Sequence, residues 1–144
     1  MHKYVLDTNV VQRKDFDPDA LPAQTFASSV VLFELMTACN DMKELKAYQQ
    51  AWEQADKNGL LLMPTRIDWL EAGRISYLLA QERKKQAGGK APRRTATAKQ
   101  EIAMDCLLAM SAHREGVTVI TNDKDFWAIQ RYRKGLKLQR YSSD

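Results

Sequence analysis

Four acidic residues in this chain sit beside apolar runs, where charge is costly. Asp7 follows Tyr4-Val5-Leu6, a short run of β-forming residues that predicts a buried strand. Asp7-Thr8-Asn9 then ends the run with three polar residues that favour turns and caps. Glu34, in SSVVLFELMTA, has Val30, Val31, Thr37 and Ala38 three and four positions away. A helix there carries its carboxylate on an almost wholly apolar face. Asp105, in QEIAMDCLLAMSA, repeats the arrangement among Ile102, Leu108 and Ala109. The fourth acid comes from VTVITNDKDF, where Asp123 follows a predicted strand at Val117–Ile120 as Asp7 follows the first. Asp125, two residues on, can cap the next helix, so either acid can face the site; Asp123 is favoured because it is nearer the strand end.

A charge among apolar neighbours must be paired, coordinated or protonated. One such residue is answerable by a buried arginine, and Asp7 alone could be a helix cap. Four together, two of them at strand ends, point to a shared site. Ligands of open α/β sheets bind just beyond the carboxyl ends of parallel strands. Carboxylates converging there repel one another unless a cation neutralises them, and an all-oxygen donor set suits hard Mg²⁺ or Mn²⁺. Such an ion can activate water and clamp the oxygens of a phosphodiester. Thr121 and Asn122 are placed to hold the acids in position. No cysteine or histidine cluster supports zinc: His2 precedes the first strand and His113 ends a helix. Cys39 and Cys106 read as small core residues of a reducing compartment.

The elements that must position these acids alternate. Val10–Gln24 is a polar connection with Pro18 and Pro22 and at most one or two helical turns. A second strand spans Thr25–Ser28, and Ser28 or Ser29 can cap a helix over Val30–Asn40. Asp41–Lys57 is an amphipathic helix bearing Leu45, Tyr48, Ala51, Trp52 and Ala55. Leu60–Met63 is a third strand. Arg66–Gln86 is helical, with an apolar stripe of Trp69, Leu70, Ile75, Leu78 and Leu79. Helix returns at Lys99–Arg114 and Asp125–Tyr132, and Leu136–Arg140 is a last edge strand. Strands alternating with helices predict a parallel sheet covered on both faces by helices.

The length of 144 residues is that of one domain, here 1–144, with a mobile basic loop expected at about 86–99 around Gly88-Gly89 and Pro92. No apolar run approaches the ~20 residues that span a bilayer and no secretory signal opens the chain, so the expected location is cytoplasmic, without membrane association. Net charge is +4 and uneven: seven basic residues and no acid lie between Arg83 and Lys99, and five more between Arg131 and Arg140. Such runs suit a polyanion, most commonly nucleic acid. Within the loop, Lys90, Arg93, Arg94 and Lys99 are the candidate nucleic-acid-binding residues.

In order and spacing these motifs resemble the PIN-domain ribonucleases. The resemblance rests on LDTN at the N-terminus, Ser28 six residues before Glu34 in an SxxxxxEL pattern, Asp105 before an apolar helix, and T-x-D-x-D-F at Thr121–Phe126. Within that family the chain is most similar to the VapC toxins of bacterial and archaeal toxin–antitoxin pairs. The resemblance implies a three-layer α/β/α sandwich with a central, mostly parallel sheet. It also implies Mg²⁺- or Mn²⁺-dependent endonucleolytic hydrolysis of RNA, a homodimer, and silencing by a cognate antitoxin. Asp7, Glu34, Asp105 and Asp123 fall on the family's acidic quartet as catalytic and metal-binding residues. Asn9, Ser28, Thr121, Asn122 and Asp125 support them.

Two departures stand out: Val10–Gln24 is shorter than the helical pair expected there, and the basic segment is longer than usual. Other classes fit less well. A haloacid-dehalogenase-type phosphatase wants a second acid where Asn9 stands, and a dinucleotide binder wants a glycine-rich turn that LDTNVV lacks. A housekeeping RNA-processing nuclease and a non-catalytic RNA- or partner-binding module of the same fold are the remaining alternatives. If the loop grips RNA through phosphates, neutralising Arg93 and Arg94 is expected to weaken RNA binding and flatten its salt dependence. Filter binding across a salt series checks this, and an unchanged slope removes the loop from RNA recognition.

Overall fold

The computed structural model describes residues 2–22, 24–88 and 96–142, with backbone only at 96 and 97. In chain order the elements are β1 (Tyr4–Leu6), α1 (Thr8–Val11), a 3-10 turn at Pro18–Ala20 and β2 (Thr25–Ser28). There follow α2 (Ser29–Thr37), α3 (Met42–Lys57), β3 (Leu61–Leu62), α4 (Arg66–Gln86), α5 (Ala96–Glu115), β4 (Thr118–Ile120), α6 (Lys124–Gln130) and β5 (Leu138–Gln139). The helices start where short polar side chains can take up free backbone N–H groups. Ser28 Oγ accepts from the N–H groups of Val30 and Val31, and Asp41 from that of Glu44. Thr65 and Asp68 form a reciprocal capping box at the start of α4. Gly59 and Gly116 follow α3 and α5 with positive φ, a conformation that lets the chain reverse into the next strand.

The five strands form one sheet in the order β3-β2-β1-β4-β5, and every pairing is parallel. Helices flank the sheet in a three-layer α/β/α arrangement. Alternation along the strands divides the core in two. Val5 and Val119, register partners, face the large cluster with Val31, Ile75, Leu108 and Phe126. Leu6 and Ile120 face a small one with Val10, packed by Phe16, Leu21 and Tyr141. This second layer is slim because the β1–β2 connection is short, holding only α1 and the 3-10 turn.

Three expectations need correction. Trp69 and Leu70 are 60% and 72% exposed, so they are not part of the core stripe of α4. That stripe is Asp68, Ala72, Ile75 and Leu79, whose spacing follows one side of the helix, and Trp69 and Leu70 lie off it. Helix α5 begins at Ala96, not Lys99, since Ala96 and Ala98 are strong helix formers and extend it by a turn. Lys99 therefore lies on a helix; residues 89–95 of the expected loop are outside the described residues. The basic run at 131–140 is also less free than its composition implies. Arg131 pairs with Glu82, and Arg133 with Glu71 at 2.6 Å, both partners on α4.

Asp68 is only 4% exposed, and its carboxylate accepts from Arg114 Nε at 2.9 Å while Arg114 Nη2 donates to the Met63 carbonyl at 2.8 Å. One guanidinium thus ties the end of α5 to the β3–α4 junction. Removing it leaves a buried carboxylate without its counter-charge. Arg114→Ala is expected to destabilise the protein by about 2–4 kcal/mol in urea denaturation; a loss below ~0.5 kcal/mol would show the clamp to be dispensable.

Candidate active site

β1 and β4 are neighbours, and the chain leaves them on opposite sides of the sheet's centre: connections from β1 run toward β3, those from β4 toward β5. A crevice opens at such a switch point beyond the strand ends. Asp7 leaves β1 into it, and Thr121-Asn122-Asp123 leave β4. Helix α2 brings Glu34 and helix α5 brings Asp105. All four acids line one cleft of about 440 Å³, with Asn9 and Asp125 also in its wall.

Hydrogen bonds fix the acids relative to one another. Asp7, 2% exposed, accepts at Oδ2 from the Thr121 hydroxyl at 2.9 Å. Thr121 Oγ1 in turn accepts from the Asp123 N–H at 3.0 Å, and Asp123 Oδ1 accepts from the Asp125 N–H at 2.9 Å. The last bond is the N-cap of α6. Across the cleft, the Thr8 hydroxyl donates to Glu34 Oε1 at 3.2 Å. Carboxylate oxygens of Asp105, Asp123 and Asp125 lie within 4.8 Å of one another.

Burial and mutual repulsion dominate the electrostatics. Asp105 is pushed up to about 9, first by burial and then by the charges of Asp7, Asp123, Glu34 and Asp125. Asp7 is raised to about 6, again mainly by burial, with the Thr121 hydrogen bond working against it and the Asp123 charge adding to it. Glu34 is raised by burial, opposed by the Thr8 hydrogen bond and reinforced by Asp7 and Glu101. Near neutral pH the cleft therefore retains protons that a divalent cation would displace. The donor set fits a hard ion: among the described residues the cleft lining offers carboxylate, hydroxyl and amide oxygens and no histidine or cysteine.

The supporting residues divide by position. Asn9 lines the cleft, Thr121 lies fully buried behind Asp7, and Ser28 is the buried cap of α2, the helix that carries Glu34. Asn122 points away and holds Tyr141, donating to its carbonyl at 3.3 Å and accepting from its N–H at 3.1 Å. Asp125 is paired with Arg83 at 2.6 Å. Lys99 is exposed and absent from the cleft wall. Lys90, Arg93 and Arg94 lie outside the described residues. His113 packs its ring against Gly135, where a Cβ would come within 2.7 Å of it, and Cys39 and Cys106 are free thiols.

Sequence reasoning overlooked Glu101, Thr8 and Arg83. Glu101 lies one helical turn before Asp105 and lines the cleft, so the i,i+4 spacing was a usable signal. Arg83 is 42 residues from Asp125, and no local pattern joins them.

An α/β domain whose switch point gathers carboxylates fitted to a hard cation is the class that this cleft defines. The family model of the PIN domain matches residues 4–132, and the chain belongs to that family, whose members are in general nucleases. A sequence comparison with curated proteins finds no match. Among solved structures the fold is similar to DNA-bound VapBC from Salmonella typhimurium (TM-score 0.57, 17% identity, covering 99% of this chain and 100% of that one). It is similar also to VapBC-5 from Mycobacterium tuberculosis, of the VapBC family of toxin–antitoxin systems (TM-score 0.54, 21% identity, 98% and 100% covered). VapBC-1 from nontypeable Haemophilus influenzae is a third (TM-score 0.55, 22% identity, 95% and 96% covered). At these identities the likeness is one of fold.

The raised carboxyls set the sign of the pH response. Between the ordinary value of 3.8 and the folded values of about 6 for Asp7 and about 9 for Asp105, the folded state binds more protons than the unfolded state. Their contribution is therefore most favourable at acid pH and is lost as pH rises through that window. Without divalent ions, Asp7→Asn is expected to raise stability at pH 8 by about 1–3 kcal/mol and to leave pH 4 nearly unchanged. Thermal denaturation in EDTA at the two pH values checks this; equal effects at both would place the repulsion elsewhere.

Proposed function

We propose that this chain is a metal-dependent endoribonuclease, the toxin of a toxin–antitoxin pair. One observation carries the reading: in a PIN domain, Asp7, Glu34, Asp105 and Asp123 arrive from two strand ends and two helices at one cleft of about 440 Å³. Mg²⁺ or Mn²⁺, when bound, supplies positive charge to the scissile phosphate and lowers the pKa of water. In this reading Asp7 and Asp105 are the central ligands, and Glu34 and Asp123 complete or orient the shell. Thr121 fixes the carboxylate of Asp7, and Thr8 fixes that of Glu34, so the acids keep their spacing as the substrate enters. Hydrolysis adds water to phosphorus and breaks its bond to the 3′ oxygen.

Two apolar surfaces support protein partners. A groove of about 430 Å³ lined by Phe33, Met36, Trp52, Met63, Trp69 and Met104 shares Phe33 and Met104 with the acidic cleft. A cognate antitoxin seated there would reach the acids, in keeping with the VapBC complexes that share the fold. Ile67, Leu70 and Tyr77 on α4 are exposed and suit a second copy of the chain. The proposal takes 1–144 as one catalytic unit acting in the cytoplasm. The described helices include none long and apolar enough to cross a membrane, and the cysteines are unpaired.

Labelled structured and unstructured RNAs, incubated with Mg²⁺, Mn²⁺ or EDTA, test the activity. Cleavage is expected to require metal and to fall below about one hundredth of wild type in Asp105→Asn. Metal-dependent cleavage retained by that variant overturns the assignment of Asp105. A wild type that neither binds metal nor cuts RNA is a binding module.

A further inference from the structure

Asp123 and Asp125 both line the cleft, and a residue from another helix pairs with only one of them. Arg83, in the last turns of α4, donates from Nη2 to Asp125 Oδ1 at 2.6 Å. The two side chains are 27% and 22% exposed, so the pair is only partly screened by solvent, unlike an ion pair on an open surface. Asp123 is tied in the opposite direction: its N–H bonds to Thr121 Oγ1, and the Thr121 hydroxyl bonds to Asp7. Asp123 is the N-cap of α6, with extended backbone, and Asp125 lies in the first turn of that helix; both line the cleft, but only Asp125 is paired with a cation.

We propose that Arg83 is a positioning residue that withholds Asp125 from the metal shell, leaving Asp123 to act with Asp7, Asp105 and Glu34. The inference rests on the divalent-metal reading of the cleft. Three carboxylate oxygens within 4.8 Å, with Asp7 and Glu34 beside them, carry more negative charge than one divalent ion neutralises. The guanidinium cancels one unit of it and pins Asp125 in the first turn of α6, two residues after the N-cap Asp123.

Calorimetric titration of the 144-residue chain with Mn²⁺ alone, without RNA, tests the proposal. Asp123→Asn is expected to weaken Mn²⁺ binding about a hundredfold, losing a ligand as well as a charge, and Asp125→Asn only about tenfold, losing the charge alone. Arg83→Gln frees Asp125 and is expected to tighten binding by about tenfold, the order of one added unit charge near a divalent ion under partial screening. Arg83→Lys keeps the charge and stays near wild type, and Arg83→Gln combined with Asp125→Asn returns to it. Circular dichroism identifies the folded variants; if Arg83→Gln does not fold, the two aspartate variants decide. Equal losses in Asp123→Asn and Asp125→Asn overturn the proposal, as does a folded Arg83→Gln with unchanged affinity. A wild type that binds no Mn²⁺ removes the metal site itself, and this inference with it.

Discussion

Mutual repulsion of carboxylates in a poorly solvated cleft is the constraint on which the rest of the molecule depends. Like charges close together outside bulk water cost several kcal/mol, and they add to the burial that pushes Asp105 up to about 9. A fold that left these side chains on flexible loops would let them separate. This one roots them in elements whose other faces are deeply buried. Val5 precedes Asp7 by two residues, Leu108 follows Asp105 on the same helix, and Val119 precedes Asp123 by four, all within one core cluster. The acids cannot relax apart without unpacking that core.

The scaffold answers the repulsion with fixed dipoles and one fixed charge. Hydroxyls of Thr8 and Thr121 donate to Glu34 and Asp7, and backbone N–H groups at the start of α6 donate to Asp123 and Thr121. The three that end on Glu34, Asp7 and Asp123 favour the ionised carboxylate without adding net charge, and the fourth holds the Thr121 hydroxyl in place. Arg83 contributes a full positive charge from outside the cleft. The arrangement resembles a ligand shell held ready for a cation, in which second-layer partners decide which oxygens face inward.

Charge is sorted across the molecule. The chain carries a net charge of +4, yet its cleft is acidic. Part of the basic excess is consumed internally: Arg83, Arg131 and Arg133 each pair with an acid on another element, and Arg114 holds Asp68. Arg140 stacks over Trp127 at 4.5 Å on the helix that begins with the cleft's acids. A composition that reads as a polyanion-binding surface is thus in part the tie between α4 and the segment after α6.

Much of this was written locally. The strands, the parallel alternation and a serine cap at Ser28 or Ser29 follow from short-range patterns, because helix starts and strand runs depend on residues within a few positions of one another. The acids were legible for the same reason: a carboxylate at 3.6-residue spacing among valines and leucines, or straight after a strand, conflicts with its neighbours. What the sequence could not express was distance between elements. The outward turn of Trp69 and Leu70 depends on which side of α4 the sheet and α5 occupy. The pairings of Arg83 with Asp125 and of Arg114 with Asp68 join residues 42 and 46 positions apart. Those contacts exist only once the parallel sheet has brought α4, α5 and α6 together, so the acids were set by the sequence and their counter-charges by the tertiary structure.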